Sequence, residues 1–282
     1  MTDETMSAVP PDARQDGQEW LSEVMHRPGG RWLAMRFLAT PVTPNQLTVL
    51  GGLIGAVAGV MMVAGATRPL LLAGGGVVLW IACLFDCADG ELARARRQQS
   101  PLGMMLDGLT DNVVGTSVFV GMAYDVVVYT GQPWLWLLGI AAGLSAAAHV
   151  WVYDARKRQY LQCLGLAEVQ AVSDVAAQRH QARREGRTSD AFLLTAYEFF
   201  RRSQSLGVGD AMARDPVRFR RVNRWRMRAW TCMGSSTHFV PLYVAAIISP
   251  LWPPAMLACV LFYIVGLNAL FVFLLLGRWQ AA

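Results

Sequence analysis

Cysteine and histidine are scarce in this chain, five of one and four of the other among 282 residues, and charged residues make up only 16%. So few cysteines exclude a disulfide-stapled scaffold. Cys83, Cys87 and Cys259 sit in apolar stretches, Cys232 at the edge of one, and Cys163 in a polar segment. Cys83 and Cys87 stand one turn apart around Asp86. No second ligand pair completes a soft-metal site there, and small apolar packing accounts for them better. Also missing is a basic stretch leading into an apolar core at the start of the chain, so no signal peptide is expected. There is no internal repeat. The formal net charge is +5, but no nucleic-acid-binding module accompanies it, and no nucleic-acid partner is expected.

What is abundant is apolar: 54% of residues are hydrophobic and mean hydropathy is +0.32, too high for an ordinary soluble domain. Six stretches approach the ~20 residues that cross a bilayer: 46–66, 69–90, 104–130, 133–153, 229–249 and 254–277. Turns punctuate them at Thr67-Arg68-Pro69, at Gly131-Gln132-Pro133, and at Pro250 with Pro253-Pro254. The expected fold is therefore an all-α integral membrane protein with six transmembrane helices. Arg94, Arg96 and Arg97 follow the second stretch, Arg156, Lys157 and Arg158 the fourth, and Arg278 the sixth. The positive-inside rule places these ends, and both termini, on the cytoplasmic side of an inner or plasma membrane.

Five regions follow. Residues 1–17 read as a disordered tail and 18–40 as an interfacial amphipathic segment, with Trp32 and Phe37 beside arginines. Residues 41–153 hold the first four spans and 229–279 the last two. Between them, 154–228 is a polar insertion with fifteen arginines and one lysine against eight acids. Stretches 191–200 and 217–230 in it have helical spacing. Its basic surface reads first as a match for anionic headgroups, second as acceptor recognition or a lid.

The chemistry lies in four aspartates. Asp86 and Asp89 are i,i+3 neighbours on one helix, and Gly103, Asp107 and Asp111 repeat at i,i+4 on the next. Carboxylates at membrane depth persist when something cationic or catalytic holds them, and an all-oxygen set suits a hard divalent cation, Mg²⁺ first and Mn²⁺ or Ca²⁺ next. The full run is Asp86-x2-Asp89-Gly90-x2-Ala93-Arg94-x8-Gly103-x3-Asp107-x3-Asp111. It resembles the signature of the CDP-alcohol phosphotransferases (CDP-alcohol phosphatidyltransferases) at all eight fixed positions.

That resemblance implies metal-dependent transfer of a substituted phosphate group from a CDP-linked donor to an alcohol, with release of CMP, in phospholipid synthesis. It implies two Mg²⁺ (or Mn²⁺) ions on Asp86, Asp89, Asp107 and Asp111, with Asp111 also the general base. It further implies a six-helix core over 41–153 and 229–279, membrane lipid as surroundings, and a homodimer. Gly90, Ala93 and Gly103 are small enough for close nucleotide approach, although helix packing favours small residues too. Arg94 suits a phosphate, whereas Arg96 and Arg97 read as snorkelling anchors. Asn45 and Thr48 lie at the mouth of the first span, where nucleotide contact and plain capping are evenly matched. Tyr153, Arg156 and Lys157, at the end of the fourth span, are acceptor-site candidates by region alone. The basic insertion favours CDP-diacylglycerol as donor with a polyol or anionic acceptor. The alternative is a CDP-choline/ethanolamine-type transferase acting on a lipid alcohol. An intramembrane prenyltransferase and a cation transporter are remote: the aspartate pairs lie close in sequence, and no repeat symmetry or paired span interruptions appear.

Overall fold

Two of the long helices open where the sequence supplies a residue lacking N–H and an oxygen to cap the turn. In the computed structural model, residues 11–166, 172–192, 194, 195, 198, 213–277 and 279 are described. The helices are α1 (Trp20–Met25), α2 (Arg27–Phe37), α3 (Pro44–Gly65), α4 (Pro69–Arg96), α5 (Pro101–Thr130), α6 (Trp136–Cys163), α7 (Val172–Arg184), α8 (Pro216–Trp230), α9 (Ser235–Ile248), α10 (Ala255–Leu261) and α11 (Asn268–Leu276). No strand occurs among the described residues. Thr43 opens α3 with a full capping box: its hydroxyl accepts from the Gln46 N–H at 3.3 Å, and its own N–H donates to Gln46 Oε1 at 2.9 Å. Ser100 opens α5 by accepting from the Gly103 N–H at 3.0 Å.

Five helical stretches are long and apolar enough to cross a bilayer: Pro44–Gly65, Pro69–Arg96, Leu102–Thr130, Pro133–Cys163 and Ala255–Leu276. A sixth is counted only if α9 is joined to the helix before it. Alone, α9 has 14 residues, a rise of about 21 Å against roughly 30 Å of hydrocarbon. The stretch expected as one span over 229–249 is interrupted by a 3₁₀ turn at Thr231–Met233 and extended backbone at Gly234.

The chain divides into two compact units. In the first, the described residues of 21–148 and 235–269, α3 packs against both α4 and α5. A stripe of glycines on α3 permits this. A β-carbon on Gly55 would stand 2.4 Å from Val114 Cγ2, and one on Gly59 2.6 Å from the Ser117 carbonyl carbon. Helix α2 lies on α4 through Ala34, which is buried with Leu47, Ala88 and Leu92. Arg96 does not reach for a membrane surface. Its guanidinium donates to the carbonyls of Val42, Phe37, Leu38 and Thr40 at 2.6, 2.6, 3.1 and 2.6 Å. The loop between α2 and α3 is thereby tied to the end of α4, because four carbonyls in an irregular turn need a donor that a helix would otherwise supply.

The second unit comprises the described residues of 1–20, 149–234 and 270–282. A disordered tail is expected over 1–17, and its first ten residues lie outside the described ones. Pro11–Gly17 is instead an ordered 3₁₀ turn. Its acids are matched by arginines that lie some two hundred positions later, which local composition does not reveal. Asp16, whose side chain is 0% exposed, accepts from Arg220 Nε at 2.6 Å, Arg224 Nε at 2.8 Å and the Tyr160 hydroxyl at 3.1 Å. Asp12 takes both Arg220 Nη atoms at 3.0 Å. The expected helix over 217–230 is α8. Of the one expected over 191–200, positions 193, 196, 197, 199 and 200 lie outside the described residues.

Two outcomes are expected. Gly59→Leu should destabilise the α3/α5 contact by about 1–3 kcal/mol, the usual cost of overpacking, read as a lower unfolding midpoint in detergent. Arg220→Ala leaves Asp16 buried with only Arg224 and Tyr160 and should cost about 3–5 kcal/mol, read as protease release of the N-terminal turn. Arg220 also holds the Asp12 carboxyl below its ordinary 3.8. The contribution of that contact is therefore complete above about pH 4 and lost only as pH falls further.

Candidate active site

Helices α4 and α5 are joined by the short link 97–100, and the link's chemistry sets how they meet. Arg97 caps α4 in the left-handed conformation, φ 54°, with the Gln98 N–H returning to the Ala93 carbonyl at 2.9 Å. Ser100 then starts α5. The last turn of α4 and the first turn of α5 are thus joined by four residues.

At that place Asp86, Asp107 and Asp111 each offer a carboxylate oxygen, all within 4.8 Å of one another. Asp89, one turn beyond Asp86, is buried at 6% exposure. Its Oδ2 is enclosed without a hydrogen-bond partner. Thr48 of α3, Asp107 and Arg94 are its polar and charged neighbours. Thr48 thus stands beside the carboxylate cluster, and its hydroxyl donates to the Pro44 carbonyl at 3.2 Å.

The other motif positions fall around this cluster. Asn45 Oδ1 lies 3.0 Å from where a Gly103 β-carbon would stand, so glycine is what lets α3 and α5 close here. Arg94 folds back over Gly90, its Nη1 3.4 Å from the position of an absent β-carbon. It ion-pairs with Glu91 at 3.2 Å, and Glu91 also meets Arg31 of α2 at 3.4 Å. Ala93 is half-buried. Glu91 was not singled out from sequence, although its i,i+3 spacing to Arg94 was a legible signal. Nor was Asp125, a buried carboxyl further along α5. It lies fourteen residues past Asp111, about 21 Å along the axis, and takes no part in the cluster.

Tyr153, Arg156 and Lys157 belong to the second unit and have contacts of their own there. The buried Tyr153 donates its hydroxyl to the Gly17 carbonyl at 2.7 Å, and Lys157 Nζ lies 5.7 Å from the Tyr153 ring centre. Arg156 bonds Gln159 at 3.1 Å and sits over Trp230.

The donor set fits a divalent cation. Hard ions bind oxygen at about 2.0–2.6 Å, so ligands on opposite sides are roughly 4–5 Å apart, the spread of the three carboxylates. Asp89 adds a buried oxygen that no protein donor satisfies. No nitrogen or sulfur ligand stands in this set.

Comparison with known proteins converges on the same segment. The CDP-alcohol phosphatidyltransferase family matches residues 41–172, a little under half of the chain. A bifunctional IPC transferase and DIPP synthase of Rubrobacter xylanophilus is 34% identical over 86 residues, 30% of this chain and 19% of that protein. A phosphatidylinositol phosphate synthase of Mycobacteroides abscessus is 33% identical over 92 residues, 33% of this chain and 40% of the relative. An archaetidylinositol phosphate synthase of Pyrococcus horikoshii is 34% identical over 98 residues, 35% and 50% of the two chains. The chain therefore spans half or less of these relatives' lengths, and the family match includes the helices that hold the aspartates. Residues 41–172 thus carry the match to the CDP-alcohol phosphatidyltransferase family, and it is in that segment that the chain is similar to known transferases.

Proposed function

We propose that the protein transfers a phosphatidyl group from CDP-diacylglycerol to a phosphorylated polyol of the inositol phosphate class, releasing CMP. The observation that carries the reading is the convergence of Asp86, Asp107 and Asp111 within 4.8 Å beside the unpartnered oxygen of Asp89. The inositol phosphate acceptor comes from the names of the relatives, and CDP-diacylglycerol from the family reading. We place six spans around this core, α1 and α2 along the inner leaflet, the cleft toward the cytoplasm, and two copies in the membrane.

Asp86, Asp89, Asp107 and Asp111 would hold Mg²⁺ or Mn²⁺, as a pair of ions in the sense the family motif implies, and the metal would neutralise the donor diphosphate. Asn45, Thr48, Gly90, Ala93 and Gly103 would border the nucleotide. Arg94 would leave Glu91 for a phosphate oxygen, to which its fork can bond twice. Asp111 takes the proton of the acceptor hydroxyl. The freed oxygen forms a bond to the phosphorus bearing diacylglycerol, the bond from that phosphorus to the bridging oxygen breaks, and its electron pair departs on CMP. Holding hydroxyl and phosphorus together supplies much of the acceleration.

Lipid nanodiscs containing the protein, Mg²⁺, CDP-diacylglycerol and inositol phosphate should release CMP. Chelation should abolish release and added Mg²⁺ should restore it. Asp111→Asn should lower kcat by ~10²–10⁴-fold, the range for loss of a general base. CMP formation from CDP-choline and diacylglycerol instead would refute the donor assignment, and release unaffected by Asp111→Asn would refute the base.

A further inference from the structure

Helix α8 divides its six arginines between two faces, and only one face is accounted for by the fold. Facing inward are Phe219, Arg220, Asn223, Met227 and Trp230, all buried, with Arg220 spent on Asp12 and Asp16. Opposite them, at 100° per residue, Arg218, Arg221, Trp225 and Arg228 fall within about 80° of one another. These four are exposed, and Trp225 shows 56% of its surface. The helix contains no acid over its fifteen residues. Among the described residues, Arg218, Arg221 and Arg228 have no ion-pair partner. Arg226 stacks on the Trp225 ring at 5.3 Å, which braces an indole that the core does not use.

A solvated helix face has no need of an exposed tryptophan among arginines. A polar–apolar boundary does: indole is favoured where one end is wet and the other apolar, and guanidinium groups there meet phosphates. The chain supplies the boundary itself. After Trp230 it runs through Thr231–Met233 and Gly234 into the apolar helix α9 at Ser235. Five residue steps at most about 3.6 Å each tether the end of α8 within roughly 18 Å of an apolar segment. We propose that the Arg218–Arg221–Trp225–Arg228 face of α8 docks on the anionic phospholipid headgroups of the bilayer in which the protein sits. Charge complementarity selects an anionic surface, the tryptophan selects its lipid interface, and the tether keeps the face close to it. Lipid is favoured over a nucleic acid because no recognition module accompanies the arginines. The proposal is independent of the reaction proposed above.

The test reads the tryptophan, not turnover. The full-length protein and its Trp225→Phe variant are placed in nanodiscs whose lipid chains carry bromine, either phosphatidylglycerol mixed with phosphatidylcholine or phosphatidylcholine alone. The fluorescence difference between the two proteins isolates Trp225. It should be quenched several-fold more in the anionic discs. High salt, and separately Arg218→Gln/Arg221→Gln/Arg228→Gln, should remove that excess, since surface charge is screened within about a Debye length. The salt arm uses the native sequence and so does not depend on how the triple variant folds. Equal quenching in both discs would overturn charge recognition. No quenching in either, or displacement of Trp225 from anionic discs by added duplex RNA at low salt, would overturn lipid as the occupant.

Discussion

Like charges held at contact distance are the constraint to which the domain answers. Carboxylate oxygens within 4.8 Å of one another repel by about 3 kcal/mol per charged pair at an effective dielectric near 20. A flexible scaffold would let them part. Here it cannot, because α3 is wedged against α4 and α5 along glycines where a β-carbon would overlap the neighbouring helix. The Arg96 guanidinium, bonded to four carbonyls, closes the same end of α4 over the α2–α3 loop. Repulsion that the backbone refuses to relieve is available to bind a cation.

The same economy explains the small residues of the motif. Gly103 admits Asn45 and Gly90 leaves room on which Arg94 rests, while Glu91 supplies Arg94 with a carboxylate. An anionic ligand that takes Arg94 must compete with that exposed ion pair, a weak competitor in water. The pair is strong enough to hold the side chain near the cleft and weak enough to release it.

How much of this could be read from the chain depended on the range of each interaction. Helix periods placed Asp86 with Asp89 and Asp107 with Asp111, and Thr43 with Pro44 announced the start of α3, because those are relations across three or four residues. Hydropathy located five spanning stretches for the same reason. The stretch over 229–249 was less legible, since an average over a window does not register the break at Thr231–Gly234, and it counts as a span only with the helix before it. The tail over 1–17 misled more deeply. Asp12 and Asp16 look like solvated acids until Arg220 and Arg224 are placed beside them, and nothing local predicts a partner at that separation. Arg96 was mistaken for an anchor because its partners are carbonyls, which sequence composition does not display.

The arginines of the insertion show why net charge alone is a poor guide to partners. Arg220 and Arg224 are paired inside the second unit with Asp12 and Asp16, so they hold a fold together and add little to its outer field. Arg218, Arg221 and Arg228 lie on the other side of the same helix with no such partner among the described residues, and the exposed Trp225 stands between them. One helix thus carries two electrostatic surfaces of different meaning. The first exists because an acid was buried and had to be matched. The second persists because it faces outward, where its partner is supplied by what surrounds the protein.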